Sequence, residues 1–327
     1  MTDTLFVNPG WTGRERAVPP ADAIAFHRSL PGYRPTPLVD APAAARALGV
    51  ARVLVKDESS RFGLPSFKVL GASWATHCAV GDRRDVALVC ATDGNHGRAV
   101  AWMARRLGLP ATVFVPANMV AARRAAIAGE GARVEVIDGT YDEAVEHAAG
   151  LASEDVLVIQ DTAWAGYQTV PGWVIDGYGT IGAEIEIEPD VLAVQIGVGS
   201  FAAAMVRRFA SPTRIIGVEP ATAACALASM KAGVPVRVPG PHDSVMAGLN
   251  CGLVSWVTWP ALAAGIEAFA AIEDSWAYAA VELLAADGVV AGESGAAGLA
   301  GLLAFRESLA LSRDSAVLVV NTEGATG

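Results

Sequence analysis

Only three lysines occur among the 327 residues, Lys56, Lys68 and Lys231, so chemistry that needs an amine nucleophile has a short list of candidates. Lys68 closes the run Ser59-Ser60-Arg61-Phe62-Gly63-Leu64-Pro65-Ser66-Phe67-Lys68 and opens a helical pattern over Val69–Ala79. An amine at such a loop-to-helix boundary, near a phosphate pocket, loses its proton more easily than a solvated one. A neutral amine is what attack on an aldehyde requires. Lys56 ends an apolar run beside Asp57 and Glu58, and Lys231 precedes Gly233 at a helix end; both read as structural charges.

Two glycine-bearing turns could hold anions. Gly197-Val198-Gly199-Ser200 follows the apolar run Val191–Ile196 and precedes a helical pattern from Phe201 to Phe209. Glycine there lets the backbone approach a ligand, and the N–H groups and helix dipole attract a phosphate. Ala91-Thr92-Asp93-Gly94-Asn95-His96-Gly97 follows the strand candidate Asp85–Cys90 and opens a second helix. Its hydroxyl, amide and N–H groups suit a carboxylate, and Asp93 within it is either an N-cap or a general base. Gly197, Gly199 and Ala202 also fit a dinucleotide fingerprint. Glu219 lies about 20 residues on, where an acid would bind a ribose. A nicotinamide-linked oxidoreductase is therefore a rival reading.

These turns need a frame. Strand candidates are Arg52–Val55, Asp85–Cys90, Ala111–Val115, Arg133–Ile137, Val156–Ile159, Val191–Ile196, Arg214–Val218 and Ala316–Val320. They are nearly continuous apolar runs, as parallel strands covered on both faces are. Helical patterns lie between them, at Gly97–Leu107, Val120–Glu130, Tyr141–Ser153 and Phe201–Phe209. The order predicts a doubly wound α/β architecture. With 53% hydrophobic and 18% charged residues, the chain can build a core over most of its length.

A net charge of −10 argues against nucleic acid or an anionic membrane as partner. The longest charge-free stretch, Ser244–Ile266, contains Gly248, Asn250, Gly252 and Pro260 and reads as buried loop and helix rather than a bilayer span. The first residues carry no basic and apolar leader pattern, so no secretion signal is expected. Cys78, Cys90, Cys225 and Cys251 form no C-x-x-C pair, which suits a reduced, cytoplasmic protein; if any two pair, they are Cys225 and Cys251. The histidines lack metal-ligand spacing, and no metal is expected.

The three motifs together resemble the pyridoxal-phosphate enzymes of fold type II, the tryptophan synthase β-subunit group, and within them the diaminopropionate ammonia-lyase family. The segment Phe26-His27-Arg28-Ser29-Leu30-Pro31-Gly32-Tyr33-Arg34-Pro35-Thr36-Pro37-Leu38 is similar to that family's N-terminal signature. So are Asp57 to Leu64 with Phe67-Lys68, Ala91 to Gly97, Gln160-Asp161-Thr162-Ala163-Trp164 with Gly166-Tyr167, Met246 to Gly252, and Asn321-Thr322-Glu323-Gly324. Six ordered motifs span Phe26 to Gly324.

The resemblance implies a two-domain α/β fold with mostly parallel sheets and the cofactor between domains. Residues 75–170 would form a small inserted domain, and 1–74 with 171–327 the large one. It implies pyridoxal 5'-phosphate joined to Lys68, its phosphate on Gly197, Val198, Gly199, Ser200 and Phe201, Asn95 at its phenolic oxygen and Thr322 at its ring nitrogen. Thr92, Asp93, Gly94 and His96 would surround an amino-acid substrate. Lys68, Asp93 and Asp161 would be catalytic, the two aspartates taking the Cα proton on opposite faces. The implied reaction is loss of ammonia from 2,3-diaminopropionate, by a homodimer. Another β-elimination or β-replacement, such as serine or threonine dehydration, is the alternative within the same chemistry. The family's C-terminal motif continues with an acidic residue where this chain has Ala325.

Overall fold

The computed structural model describes residues 2–13, 20–92, 94–209 and 211–325. In chain order its elements are β1 (Thr4–Val7), α1 (Ala21–Ser29), β2 (Leu38–Asp40), α2 (Pro42–Leu48), β3 (Arg52–Asp57), α3 (Lys68–Val80), β4 (Ala87–Ala91) and α4 (Asn95–Leu107). Then come β5 (Ala111–Pro116), α5 (Ala121–Gly129), β6 (Arg133–Ile137), α6 (Tyr141–Gly150), β7 (Val156–Val158) and α7 (Thr169–Ala183). The remainder is β8 (Val191–Gln195), α8 (Ser200–Phe209), β9 (Arg214–Pro220), α9 (Cys225–Ala232), α10 (Trp259–Gly265), β10 (Ala268–Ile272), α11 (Asp274–Ala286), α12 (Glu293–Ala304) and β11 (Ala316–Asn321). No helix among the described residues is long and apolar enough to cross a membrane.

The chain divides into two compact units. One runs to Phe67 and resumes at Tyr178; the other is Lys68–Gly177. The division falls just outside the expected 75–170 on both sides. Helix α3 packs on α4 and so belongs wholly to the second unit.

In the first unit, seven strands are ordered β1-β10-β9-β8-β11-β3-β2. The five inner strands are parallel, and β1 and β2 cap the two edges antiparallel. Buried Val53, Val55, Val191, Ala193, Ile216, Val218, Val317 and Val319 pack with α2, α11 and α12 in one apolar core. In the second unit, four parallel strands are ordered β6-β5-β4-β7. All eight expected strands are present. The pattern missed β1, β2 and β10. The first two are short edge strands, and β10 reads Ala-Phe-Ala-Ala-Ile, whose alanines carry little strand propensity.

A buried charge cluster ties β3 and the loop after it to Glu184, just past α7. Lys56 Nζ donates to Glu184 Oε2 at 2.7 Å and to the Thr36 carbonyl at 2.8 Å. The Arg61 guanidinium donates to both Glu184 oxygens, at 2.7 and 2.8 Å, and to Glu58. The side chains of Lys56, Arg61, Glu58 and Glu184 are almost fully buried. Burial pushes the Glu184 carboxyl up, but the hydrogen bonds and charges of Arg61 and Lys56 outweigh it and hold it at about 2. Removing one partner of a buried pair leaves uncompensated charge. Glu184→Gln is therefore expected to cost about 3–5 kcal/mol, read as a lower urea midpoint. A depressed carboxyl stabilises the fold above its ordinary value and loses that contribution as pH falls toward 2. The Glu184→Gln protein should lose that acid-dependent part.

Candidate active site

In an open α/β sheet, ligands bind beyond the carboxyl ends of the strands, where successive connections leave in opposite directions. In the second unit that point lies between β4 and β7, because β5 and β6 extend to one side of β4 and β7 lies on the other. Beyond β4, the Thr92 hydroxyl accepts the N–H groups of Gly94 at 2.9 Å and Gly97 at 3.0 Å, folding the turn into α4, whose first residues are Asn95 and His96. Asp93 lies outside the described residues. Beyond β7, the Gln160 Oε1 accepts the Ala91 N–H at 3.0 Å, closing the gap to β4 one residue before Asp161.

His96 and Asp161 meet there. His96 Nε2 lies 2.8 Å from the Ile159 carbonyl. A carbonyl only accepts, so the ring proton sits on Nε2 and Nδ1 keeps its lone pair. Nδ1 has no hydrogen-bond partner and lies 3.8 Å from Asp161 Oδ2. Burial lowers the His96 pKa and keeps the ring neutral. The resemblance placed His96 at the substrate carboxylate. Its ring is engaged elsewhere, which leaves the backbone N–H in the first turn of α4 for that task.

Lys68 is the first residue of α3, and its Nζ donates to Asp161 Oδ2 at 2.8 Å. The lysine side chain is 22% exposed and the aspartate 7%. Burial pushes the Asp161 carboxyl up, yet the charge and hydrogen bond of Lys68 outweigh it and hold Asp161 well below the usual carboxylate range. Helix α3 is pinned by a close crossing. A Cβ on Gly177 of α7 would lie 2.5 Å from the Leu70 carbonyl and 2.8 Å from the Gly71 Cα, both backbone atoms that cannot step aside. Gly177→Ala must therefore push α3 and Lys68 with it. Overpacking of this kind costs about 1–3 kcal/mol. A melting scan should show that loss, and activity should fall beyond the unfolded fraction.

In the first unit the corresponding point lies between β8 and β11, since β9 and β10 extend to one side of β8 and β11 with β3 to the other. The loop Gly197–Ser200 leaves β8 and opens α8. The Val198 carbonyl is drawn back by the Ser255 N–H at 2.9 Å and the Thr258 hydroxyl at 3.1 Å. The peptide is trans-planar, so the Gly199 N–H points the opposite way. Gly199 has φ +96°, and a Cβ there would meet Leu262 Cδ1 and Thr258 Oγ1 at 2.8 Å; only glycine fits this turn. Beyond β11, the Thr322 hydroxyl accepts from the Gln195 amide at 2.9 Å.

The segment leading to Lys68 runs beside these groups. Ser66 bridges Glu323, the Phe67 N–H donates to the Thr322 carbonyl at 3.3 Å, and the Phe67 ring lies 5.1 Å from that of Phe201. Lys68 follows Phe67 directly in the chain. The sequence reading missed Gln195, which sits at the end of an otherwise apolar strand; that polar intrusion was the available signal.

Glu219 corrects the nicotinamide reading. It is fully buried, and its two oxygens accept the N–H groups of Ala226 at 2.7 Å and Leu227 at 2.8 Å. Burial raises its pKa to about 7 against those hydrogen bonds. Both oxygens serve the start of α9, and neither faces a ribose. All four cysteines are free thiols. Among the described residues no group of three His, Cys, Asp or Glu side chains could hold a metal ion.

The first unit carries a glycine turn between β8 and α8 and the Thr322 hydroxyl beyond β11; the second carries a lysine amine on a buried carboxylate. The chain belongs to the family of pyridoxal-phosphate dependent enzymes, whose model matches residues 29–323. It is similar to the diaminopropionate ammonia-lyase of Escherichia coli strain K12, at 36% identity over 93% of this chain and 88% of the relative. The enzyme of the same description from Salmonella typhimurium is 34% identical over 93% and 89%. Among solved structures, the diaminopropionate ammonia lyase from Escherichia coli in complex with an aminoacrylate–PLP azomethine reaction intermediate superposes with a TM-score of 0.90. The identity there is 33%, over 99% of this chain and 94% of that one.

Proposed function

We propose that this chain is a diaminopropionate ammonia-lyase. It converts 2,3-diaminopropionate and water into pyruvate and two molecules of ammonia. The observation that carries the reading is the Lys68–Asp161 pair at 2.8 Å, an amine and a buried carboxylate at the strand ends of a chain whose relatives carry that description.

Bound pyridoxal phosphate supplies an electron sink that acidifies the Cα proton of an amino acid. Lys68 would hold it covalently, the N–H groups of Gly197 to Phe201 its phosphate, Asn95 its phenolic oxygen and Thr322 its ring nitrogen. Thr92 and the His96 backbone would orient the substrate carboxylate, the Gly94 N–H being held by the Thr92 hydroxyl. Asp161 is a weak base while the Lys68 ammonium lies on it. When that charge is withdrawn, burial dominates and the carboxylate becomes a stronger base beside Cα. Ammonia leaves only once protonated; the freed, neutral Lys68 amine, on receiving the Cα proton from Asp161, would become the ammonium that donates it. Asp93 would serve the opposite face, so that both stereoisomers are substrates. The reading includes a homodimer in the cytoplasm, for which sedimentation at twice the chain mass is the check.

Turnover of both isomers of diaminopropionate, with ammonia and pyruvate measured together, tests the reaction. Two ammonia per pyruvate from diaminopropionate, with serine and threonine slower by tenfold or more, is the expected result. Turnover of serine or threonine with none of diaminopropionate would overturn it in favour of a dehydratase.

A further inference from the structure

Gln195 ends β8 with its side chain 3% exposed. Its Nε2 lies within hydrogen-bond distance of four acceptors: the carbonyls of Ser294 at 3.0 Å, Gly295 at 3.1 Å and Val320 at 3.0 Å, and Thr322 Oγ1 at 2.9 Å. Turning the amide over would set its oxygen against three carbonyl oxygens, so the chemistry fixes which end is nitrogen. The cost of this placement is visible on the other side, where Gln195 Oε1 is buried without a partner. A buried polar atom left unsatisfied in a well-packed strand end calls for a reason.

Thr322 supplies it. An amide nitrogen has no lone pair to offer, so Thr322 Oγ1 can only accept from Gln195. The hydroxyl proton must go elsewhere. Among the described residues Oγ1 has the Gln195 amide as its one hydrogen-bond partner, and the residue is 4% exposed. The proton therefore needs an acceptor from a ligand. A pyridine nitrogen with its lone pair free is such an acceptor; a protonated pyridinium is not, and facing one would leave the buried hydroxyl donor unmet.

We propose that Gln195 is a positioning residue that fixes the direction of the Thr322 hydrogen bond. By donating to Oγ1 it turns the hydroxyl proton outward and holds the cofactor's ring nitrogen unprotonated. The inference rests on the functional reading above, and its consequence follows from the ring's electronics. An unprotonated ring is the weaker electron sink, so prompt loss of a β leaving group is favoured over a long-lived carbanion.

The test uses the holoprotein loaded with pyridoxal phosphate labelled with nitrogen-15 in the ring, whose resonance reports protonation directly. In the wild-type chain the resonance should stay at the unprotonated position from pH 6 to 9. Gln195→Glu offers Thr322 an oxygen to donate to, reverses the bond and should move the resonance to the pyridinium position at neutral pH. Gln195→Met, of similar volume and uncharged, frees the hydroxyl to rotate and should let the nitrogen titrate within that range. A merely structural Gln195 would destabilise the protein without moving the resonance. A protonated nitrogen in the wild-type chain, or an unprotonated one in both variants, overturns the proposal. A wild-type chain that takes up no labelled cofactor on Lys68 overturns the functional reading instead.

Discussion

Lys68→Ala should abolish turnover of diaminopropionate, leaving at most about one part in 10⁴ of the wild-type kcat. The amine has two tasks, holding the cofactor and moving protons, and general acid–base catalysis alone contributes about 10²–10⁴-fold. Lys56 cannot take over, because its Nζ is spent on Glu184 and the Thr36 carbonyl in the buried cluster. The substitution should leave the chain folded, since Lys68 opens α3 with its side chain partly exposed, but less stable, since it strips the buried Asp161 carboxylate of its counter-charge. The measurement is steady-state pyruvate release together with a thermal midpoint. Full loss is expected in a protein that still melts cooperatively, at a midpoint lowered by the uncompensated Asp161 carboxylate. A variant retaining a tenth of the activity would remove Lys68 from the chemistry.

Asp161→Asn should lower kcat for one stereoisomer, taken as L, by about 10²–10⁴-fold, and the other by less than tenfold. Asparagine keeps the shape and removes the base. Its amide also replaces the acceptor of the Lys68 ammonium, whose 2.8 Å hydrogen bond goes to Oδ2. Asp93→Asn should show the reverse preference. Assaying the two isomers separately decides the matter: equal losses for both in either variant would refute a face-specific assignment. The pair of variants matters because a general loss of packing or of cofactor affinity lowers both isomers alike.

How far this site was legible in the sequence follows from what each residue depends on. Lys68 stood out because lysine is rare in the chain and this one closes a glycine- and serine-bearing loop before a helix. The turns at Thr92–Gly97 and Gly197–Ser200 were legible because a strand, a small-residue turn and a helix follow one another locally. Glu184 was invisible, since its cluster joins Thr36, Glu58 and Arg61 from distant stretches and no spacing encodes that. Glu219 misled because position in a fingerprint says nothing of the N–H groups that α9 brings to it. Gln195 was passed over as part of an apolar strand; its meaning appears only when the turn into α12 at Ser294 and Gly295 and the end of β11 at Val320 and Thr322 converge on it. Ser244–Ile266, by contrast, folds as loop and short helices, as its glycines, its one proline and its polar residues indicated.

The covalent site itself admits a direct measurement. Borohydride reduction of the purified holoprotein, trypsin digestion and mass mapping should place a pyridoxyl group on Lys68. Because the modified lysine resists trypsin, the tagged peptide should run from Phe62 to Arg83 with Lys68 uncut. A tag on Lys56 or Lys231, or no tag on a protein that still turns over substrate, would contradict the account.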